Sequence, residues 1–93
     1  MLGLSGPAHE AVDQVARLVA TASDGLVPVA DAVAGGSLRA LGLGSLGFLR
    51  LADALEATYG VELDVVELSD LDSAPLIAGR VTERVTDRIA GPR

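Results

Sequence analysis

Apolar residues recur at helical spacing near the start of the chain. Between Pro7 and Ala22 the apolar positions fall three or four residues apart, at Ala8, Val12, Val15, Val19 and Ala22. Proline is tolerated in the first turn of a helix, and Ser23-Asp24-Gly25 is a typical end signal. The pattern predicts a first helix over residues 7–22.

A second amphipathic stretch runs from Ser45 to Tyr59. At about 100° per residue, one side collects the apolar stripe Phe48, Leu51, Ala52, Leu55 and Tyr59. Leu46 falls roughly 160° from that stripe, on the side that also holds Arg50, Asp53, Ala54 and Ala57. We therefore expect a helix over residues 45–59 that exposes Leu46 and ends at Gly60, a residue suited to a helix C-cap.

The last third of the chain predicts a short helix and a long one. Val61 to Leu63 are extended by propensity, and Val65, Val66, Leu68 and Leu71 fit one short helical turn. The final helix should begin near Ser73 or Pro75 and bury Ile77, Ala78, Val81, Val85 and Ile89. Its arginines, Arg80, Arg84 and Arg88, lie at i,i+4 spacing and are predicted to form a solvated stripe. Gly91-Pro92-Arg93 should fray.

The segment between Gly25 and Gly44 is rich in glycine and small residues. Pro28 disfavours helix just before it, so we expect a long connection with at most a short turn around Val29 to Ala34. Six apolar side chains should pin this connection to the bundle: Leu26, Val27, Val33, Leu38, Leu41 and Leu43.

Together these patterns predict an all-α fold, a small four-helix bundle. It has three main helices, a short third helix and a long loop between helices 1 and 2. With 93 residues, the chain should form one domain over residues 1–93, with an ordered core at about residues 7–90. Because only one tyrosine and one phenylalanine are present, the core must be aliphatic.

Composition and charge argue against several classes of function. The chain has no cysteine and a single histidine, His9, which leaves little for thiolate chemistry, metal binding or general-base catalysis. The formal charge of −6, with arginine as the only basic residue type, argues against a nucleic-acid partner. No apolar run approaches the length of a membrane span, and no secretory leader is visible, so we expect a cytoplasmic protein. We also expect it to be a monomer.

Acidic residues dominate the stretch between Leu51 and Gly79, which contains no base. They are Asp53, Glu56, Glu62, Asp64, Glu67, Asp70 and Asp72. For any single one of them a solubilising role is the simplest interpretation. As a set they favour electrostatic docking of basic partner proteins.

The most reactive position of the chain is Ser45, where a glycine-punctuated approach, Leu41-Gly42-Leu43-Gly44, turns into a helix. A helix N-terminus offers unpaired backbone N–H groups and the positive end of the helix dipole, which favour an attached phosphate. This segment resembles the acyl carrier protein family, whose hallmark is Leu-Gly-x-Asp-Ser-Leu at the start of its second helix. The resemblance continues through Leu49, Leu51, Leu55, Glu56, Tyr59, Gly60 and Val61. The departure is Gly44, which stands where the family has aspartate.

The resemblance implies that Ser45 carries 4′-phosphopantetheine, taken from coenzyme A, on which acyl intermediates ride as thioesters. It implies a non-catalytic carrier that is a substrate of phosphopantetheinyl transferase, ketosynthase, acyltransferase and other synthase enzymes. Docking is expected through residues that follow Ser45, namely Leu46, Arg50, Asp53, Glu56, Glu62 and Asp64. The Leu-Gly-Leu-x-Ser-Leu form and the arginine-only basic set favour a bacterial polyketide (antibiotic) pathway over a fatty-acid or peptidyl carrier.

Three other functions are conceivable for this sequence. Gly42 to Gly47 spells G-x-G-x-x-G, but a dinucleotide site needs a preceding strand and a βαβ unit. A serine hydrolase needs glycine two residues before its nucleophile, where this chain has Leu43, and a histidine that a sheet places nearby. A helical protein-interaction module that is never modified is the remaining alternative.

Overall fold

This computed structural model describes the backbone of residues 7–90 and the side-chain surroundings of residues 9–88. Within residues 7–90 the chain forms six helices and no strand. They are α1 (Pro7–Ala22), α2 (Val29–Val33), α3 (Leu38–Leu41), α4 (Ser45–Tyr59), α5 (Val65–Leu71) and α6 (Ala74–Ala90). The all-α fold class is therefore confirmed, and α1 and α4 have the bounds that the sequence predicts. The predicted core positions Ala8 and Ile89 and the segment 91–93 lie outside the residues described at side-chain level.

The core lies between the three long helices. α1 packs against α4 and α6, α2 covers α1, and α5 packs against α4. The largest side chains with less than 2% exposed surface are aliphatic: Leu38, Leu51, Leu55, Leu68, Ile77, Val15, Val19, Val27 and Val81. The aromatic Phe48 also lies in the core and is 2% exposed. As predicted, burial of aliphatic surface holds the bundle together.

The connection between α1 and α4 is more helical than expected, since it contains both α2 and α3. Pro28 does not prevent α2, because it occupies the N-cap position, outside the helix interior. Ser37 caps α3 by accepting a hydrogen bond from the backbone N–H of Ala40, 3.1 Å away. Helices this short complete too few turns for an apolar period to show in the sequence.

Five of the six predicted anchors of this connection are buried or half-buried. Val27, Leu38 and Leu43 have almost no exposed surface, and Val33 and Leu41 pack partly against the core. The prediction for Leu26 is wrong, because its side chain is 69% exposed. It follows Gly25, whose positive φ of 84° turns the chain away from α1 just before it.

The arginine stripe of α6 is not simply solvated. Arg80 and Arg84 both form ion pairs with Glu67 of α5. Arg84 also donates to the carbonyl of Glu62, and Arg88 donates to the carbonyl of Gly60. The stripe therefore joins α6 to α5 and to the segment before it. Periodicity identified this face as polar but did not identify its partners.

Candidate functional site

Ser45 is the first residue of α4, and its side chain is exposed. Gly44 occupies the N-cap in extended conformation, with φ −94° and ψ −172°, and has no side chain to cap the helix. Its carbonyl accepts the first intrahelical bond from Phe48 N–H at 2.9 Å. In many helices an N-cap side chain accepts hydrogen bonds from the N–H groups of the first turn. Gly44 cannot do this, so these N–H groups remain available beside Ser45.

The other serines in the described part of the chain differ from Ser45. The hydroxyl of Ser23 donates to the Ala20 carbonyl, and that of Ser37 donates to the Asp72 carboxylate. Ser73 is buried and accepts from Leu76 N–H, while Ser69 lies half-buried inside α5. Among residues 9–88, the Ser45 hydroxyl makes no hydrogen bond. Its oxygen is therefore accessible to an enzyme.

The buried side chain of Leu43 anchors the turn before Ser45. Leu43 is 2% exposed, and its backbone N–H donates to the Leu38 carbonyl at 2.9 Å. Its side chain fills the space beside Gly47, so a Cβ at position 47 would lie 2.9 Å from Leu43 Cγ and overlap Cδ1. Gly47 therefore allows the close packing of Leu43 under the first turn of α4. The anchoring role of Leu43 is predicted from the sequence, whereas the requirement for glycine at position 47 is visible only in the packing.

Two predicted docking residues lie along α4 on the side of Ser45. Leu46 is 57% exposed, as its helical angle predicts. Arg50, one turn further, forms an exposed ion pair with Asp24 at 3.2 Å. This pair, which joins α4 to the end of α1, was not predicted. Because Asp24 partly neutralises Arg50, the guanidinium opposes the surrounding acidic field less than an unpaired charge would.

The four predicted docking acids lie together. Asp53, Glu56, Glu62 and Asp64 line one groove between α4 and the segment leading into α5, which the Glu67–Arg84 ion pair also borders. Asp64 also caps α5, since its carboxylate accepts from Glu67 N–H at 2.8 Å. Asp53 lies seven residues after Leu46 on α4, so the groove continues the surface that begins beside Ser45.

Among the side chains of residues 9–88, none hydrogen-bonds to the Ser45 hydroxyl as a general base would. His9 lies in the first turn of α1, whereas the carbonyl of Ala22, at the other end of that helix, is the part of α1 that approaches Gly47. At 1.5 Å per residue, His9 is about 20 Å from that end. The residues before Gly42 form helix α3, not the strand that a dinucleotide site needs. Neither enzyme interpretation fits this geometry.

The side chains offer no metal centre in the described residues, where no group of three or more histidines and carboxylates is arranged to hold an ion. Among the helices of residues 7–90, none combines the length and the apolar character needed to cross a bilayer.

A family model described as the phosphopantetheine attachment site matches residues 13–81. The match covers well over half of the chain and includes α4 with its exposed serine. The chain belongs to the phosphopantetheine attachment site family. No match to this carrier was found among curated proteins or among solved structures.

The residues around Ser45 fit the covalent 4′-phosphopantetheine group that defines this family. A phosphodiester on the Ser45 oxygen would lie at the N-terminal end of α4, where backbone N–H groups and the helix dipole favour negative charge. Gly44 leaves open space on its side, since a Cβ there would meet no atom within 4 Å. A carrier domain of this kind is a non-catalytic protein on which other enzymes act.

Proposed function

We propose that this carrier is an acyl carrier protein of a bacterial polyketide pathway, with Ser45 as its attachment site. The observation that carries the proposal is the exposed Ser45 hydroxyl at the start of α4, inside the segment that the family model matches. When bound, the phosphopantetheine arm supplies a terminal thiol that holds acyl groups as thioesters.

The chain's own residues position the reaction without performing it. Within residues 9–88 no side chain hydrogen-bonds to the Ser45 hydroxyl, so a separate transferase must remove its proton and deliver phosphopantetheine from coenzyme A. The domain then contributes an effective concentration of acyl groups and a surface on which synthase enzymes dock. Those partners are a phosphopantetheinyl transferase, a ketosynthase and an acyltransferase.

A polyketide pathway is favoured by the Leu41-Gly42-Leu43 form of the motif, because peptidyl carriers tend to have Leu-Gly-Gly at this point. The carrier would act in the cytoplasm as a monomer. A fatty-acid carrier, a peptidyl carrier and an unmodified helical interaction module are the alternatives.

Incubation with coenzyme A and a promiscuous phosphopantetheinyl transferase tests the proposal. Intact-mass spectrometry should show the addition of one phosphopantetheine, and peptide mapping should place it on the peptide that contains Ser45. A chain that gains no mass with several transferases would be an interaction module. Subsequent charging with malonyl, fatty-acyl or aminoacyl groups by the corresponding enzymes distinguishes the three kinds of carrier.

Gly44→Asp should raise the rate of loading while changing stability little. The position is an exposed N-cap with room for a side chain, and replacing Gly by a good cap is worth only a few tenths of a kcal/mol. Aspartate would restore the side chain that transferases of this family are expected to meet. Its charge repels the incoming phosphate, but this repulsion is weak and screened at an exposed site.

Steady-state loading rates with several transferases, together with thermal unfolding, provide the measurement. Gly44→Asn is the matched control, since it caps the helix without adding charge. If Gly44→Asp loads no faster than the natural chain with any of the transferases, Gly44 is neutral or matched to a dedicated partner.

Docking should depend on salt, because five carboxylates and a single arginine line the groove that extends from the surface beside Ser45. The association rate with a basic partner enzyme should fall roughly tenfold between low and high salt, with little change in dissociation. Neutralising Asp53 and Glu56 to Asn and Gln should flatten this dependence. Stopped-flow binding at several salt concentrations measures both rates.

Leu46→Ala is the control for the salt experiment, since it removes apolar contact without changing charge and should act mainly on dissociation. Arg50→Glu should speed association with basic partners or leave it unchanged. If Arg50→Glu slowed association with every partner, electrostatic docking would be the wrong mechanism.

A further inference from the structure

A cluster outside the attachment site links the end of α5 to the start of α3. Asp72 is the C-cap of α5, and its side chain is only 15% exposed. Its carboxylate accepts hydrogen bonds from the Ser37 hydroxyl and from Arg39 N–H, the latter at 3.0 Å. Its backbone carbonyl accepts from Leu38 N–H at 3.0 Å. One residue therefore holds three consecutive residues at the N-terminus of α3.

Asp72 adopts a backbone conformation that non-glycine residues seldom take, with φ 51° and ψ 29°. Aspartate tolerates the left-handed region better than most residues. In this conformation its N–H still closes α5 by donating to the Leu68 carbonyl at 2.9 Å. The same residue thus ends α5 and holds α3 in place, 33 to 35 positions earlier in the chain.

The Asp72 carboxylate is held in its ionised form. Its partial burial would by itself raise the pKa, but the hydrogen bonds from Ser37 and Arg39 and the charge of Arg39 outweigh that effect and lower the pKa below its ordinary value. Arg39 Nε lies 3.6 Å from the carboxylate. At neutral pH the Ser37 hydroxyl and the Arg39 N–H therefore donate to an anion, which strengthens both of these hydrogen bonds.

The segment that Asp72 holds leads directly to Ser45. α3 ends at Leu41, and the N–H groups of Gly42 and Leu43 both donate to the Leu38 carbonyl, at 3.1 and 2.9 Å. Only Gly42, Leu43 and Gly44 separate α3 from α4, and the two glycines have no side chains that could anchor the turn. The approach to Ser45 is therefore fixed at two points, the buried Leu43 side chain and the N-terminus of α3.

We propose that Asp72 is a positioning residue for the loading of Ser45, acting through α3 and Leu43 on the turn that presents the serine to a transferase. The Leu38 and Leu41 side chains pack α3 against the core from one side. The contacts of Asp72 to three successive residues fix the N-terminal end of this short helix. The proposal rests on Ser45 being the attachment site.

Asp72→Gly tests the proposal, because glycine removes the carboxylate yet accepts the positive φ. Asp72→Asn is the conservative variant, since it keeps an oxygen for Arg39 N–H and tolerates the same backbone region. Asp70→Gly is the matched control. It makes the same substitution two residues earlier, in the last turn of α5, at an exposed carboxylate that forms no hydrogen bond or ion pair with α3.

Hydrogen exchange monitored by NMR gives the first measurement and needs no transferase. In Asp72→Gly the amides of Leu38, Arg39 and Leu43 should exchange about tenfold faster or more, while amides in the middle of α1 stay protected. In Asp70→Gly the three amides should exchange as in the natural protein. If they remain equally protected in Asp72→Gly, Asp72 does not hold this segment and the proposal fails.

Loading kinetics at saturating carrier give the second measurement. Displacement of the serine should lower kcat for Asp72→Gly by about tenfold, whereas a variant that merely unfolds in part raises the apparent KM for the carrier and leaves kcat unchanged. Asp72→Asn should recover kcat to within about threefold, since its amide oxygen accepts from Arg39 N–H and its amide N–H donates to the Ser37 hydroxyl oxygen as neutral hydrogen bonds. An unchanged kcat for Asp72→Gly with faster exchange would overturn the positioning role.

A second variant and a measurement without transferase cover the cases in which Asp72→Gly cannot be assayed. If Asp72→Gly does not fold, Ser37→Ala, which removes one contact of the cluster, should change kcat and exchange in the same direction by a smaller amount, and no change would overturn the proposal. If the natural chain itself is not loaded, the proposed function fails, and the exchange rates alone decide whether Asp72 fixes the turn before residue 45.

Discussion

Ser45→Ala should abolish phosphopantetheine loading and leave the fold and its stability almost unchanged. Without the hydroxyl oxygen, the phosphodiester has no atom to form on, so the expected loss of mass gain is complete. The side chain is exposed and makes no hydrogen bond within the described residues, so its removal leaves neither a cavity nor an unsatisfied partner. A surface substitution of this kind changes the free energy of unfolding by about 0.5 kcal/mol or less.

Intact mass after incubation with coenzyme A and transferase measures loading, and circular dichroism with urea unfolding measures the fold. Ser37→Ala provides the contrast, because Ser37 is another exposed serine at a helix start, yet its hydroxyl contacts Asp72 and Ala40. It should lose about 1 kcal/mol of stability as a helix cap and still gain the full mass of one phosphopantetheine, although at a lower rate. A mass gain in Ser45→Ala would show that another residue is modified.

Several features of this molecule were readable from the sequence. α1 and α4 were predicted with their observed bounds, because each is long enough for its apolar period to repeat four or more times and each is followed by a glycine-containing end signal. The exposure of Leu46 followed from the same angular argument. Periodicity is a local property, so it specifies a long helix and its buried side well.

Contacts between residues distant in the chain were not readable. α3 is too short to show a period, and its N-terminus is completed by Asp72, which lies more than thirty positions later. Glu67 appeared only as one acid in a run, whereas it pairs with two arginines of α6. Such partners are chosen by the packing of helices against each other, and no spacing rule within one helix predicts them.

In the candidate site, too, local features could be predicted from the sequence and long-range contacts could not. The serine, its motif and the exposed apolar neighbour follow from one continuous segment of sequence. The space that Gly47 leaves for Leu43, and the ion pair that joins Arg50 to Asp24, depend on how α4 meets the preceding elements. These contacts determine how rigidly Ser45 is presented.

Leu55→Ala should destabilise the protein by about 2 to 5 kcal/mol, the range found for buried leucines. Leu55 has no exposed surface and belongs to the central apolar cluster of α4 with Leu51 and Phe48. Truncation removes its apolar surface from the core and leaves a cavity that the three long helices cannot fully close. Small domains have a total stability of only about 5 to 15 kcal/mol, so the variant should lose a large fraction of it.

Leu46→Ala is the matched substitution, made in the same helix on the opposite side. Leu46 is 57% exposed, so truncation removes little buried surface, and alanine has the higher helix propensity. We expect a change of about 0.5 kcal/mol or less, together with weaker binding to partner enzymes through faster dissociation. Urea unfolding gives both free energies, provided that the dependence on denaturant is the same for the two variants. Equal midpoints for the two variants would mean that α4 is rotated relative to the core, and Leu46 could then not be the apolar residue offered to partners beside Ser45.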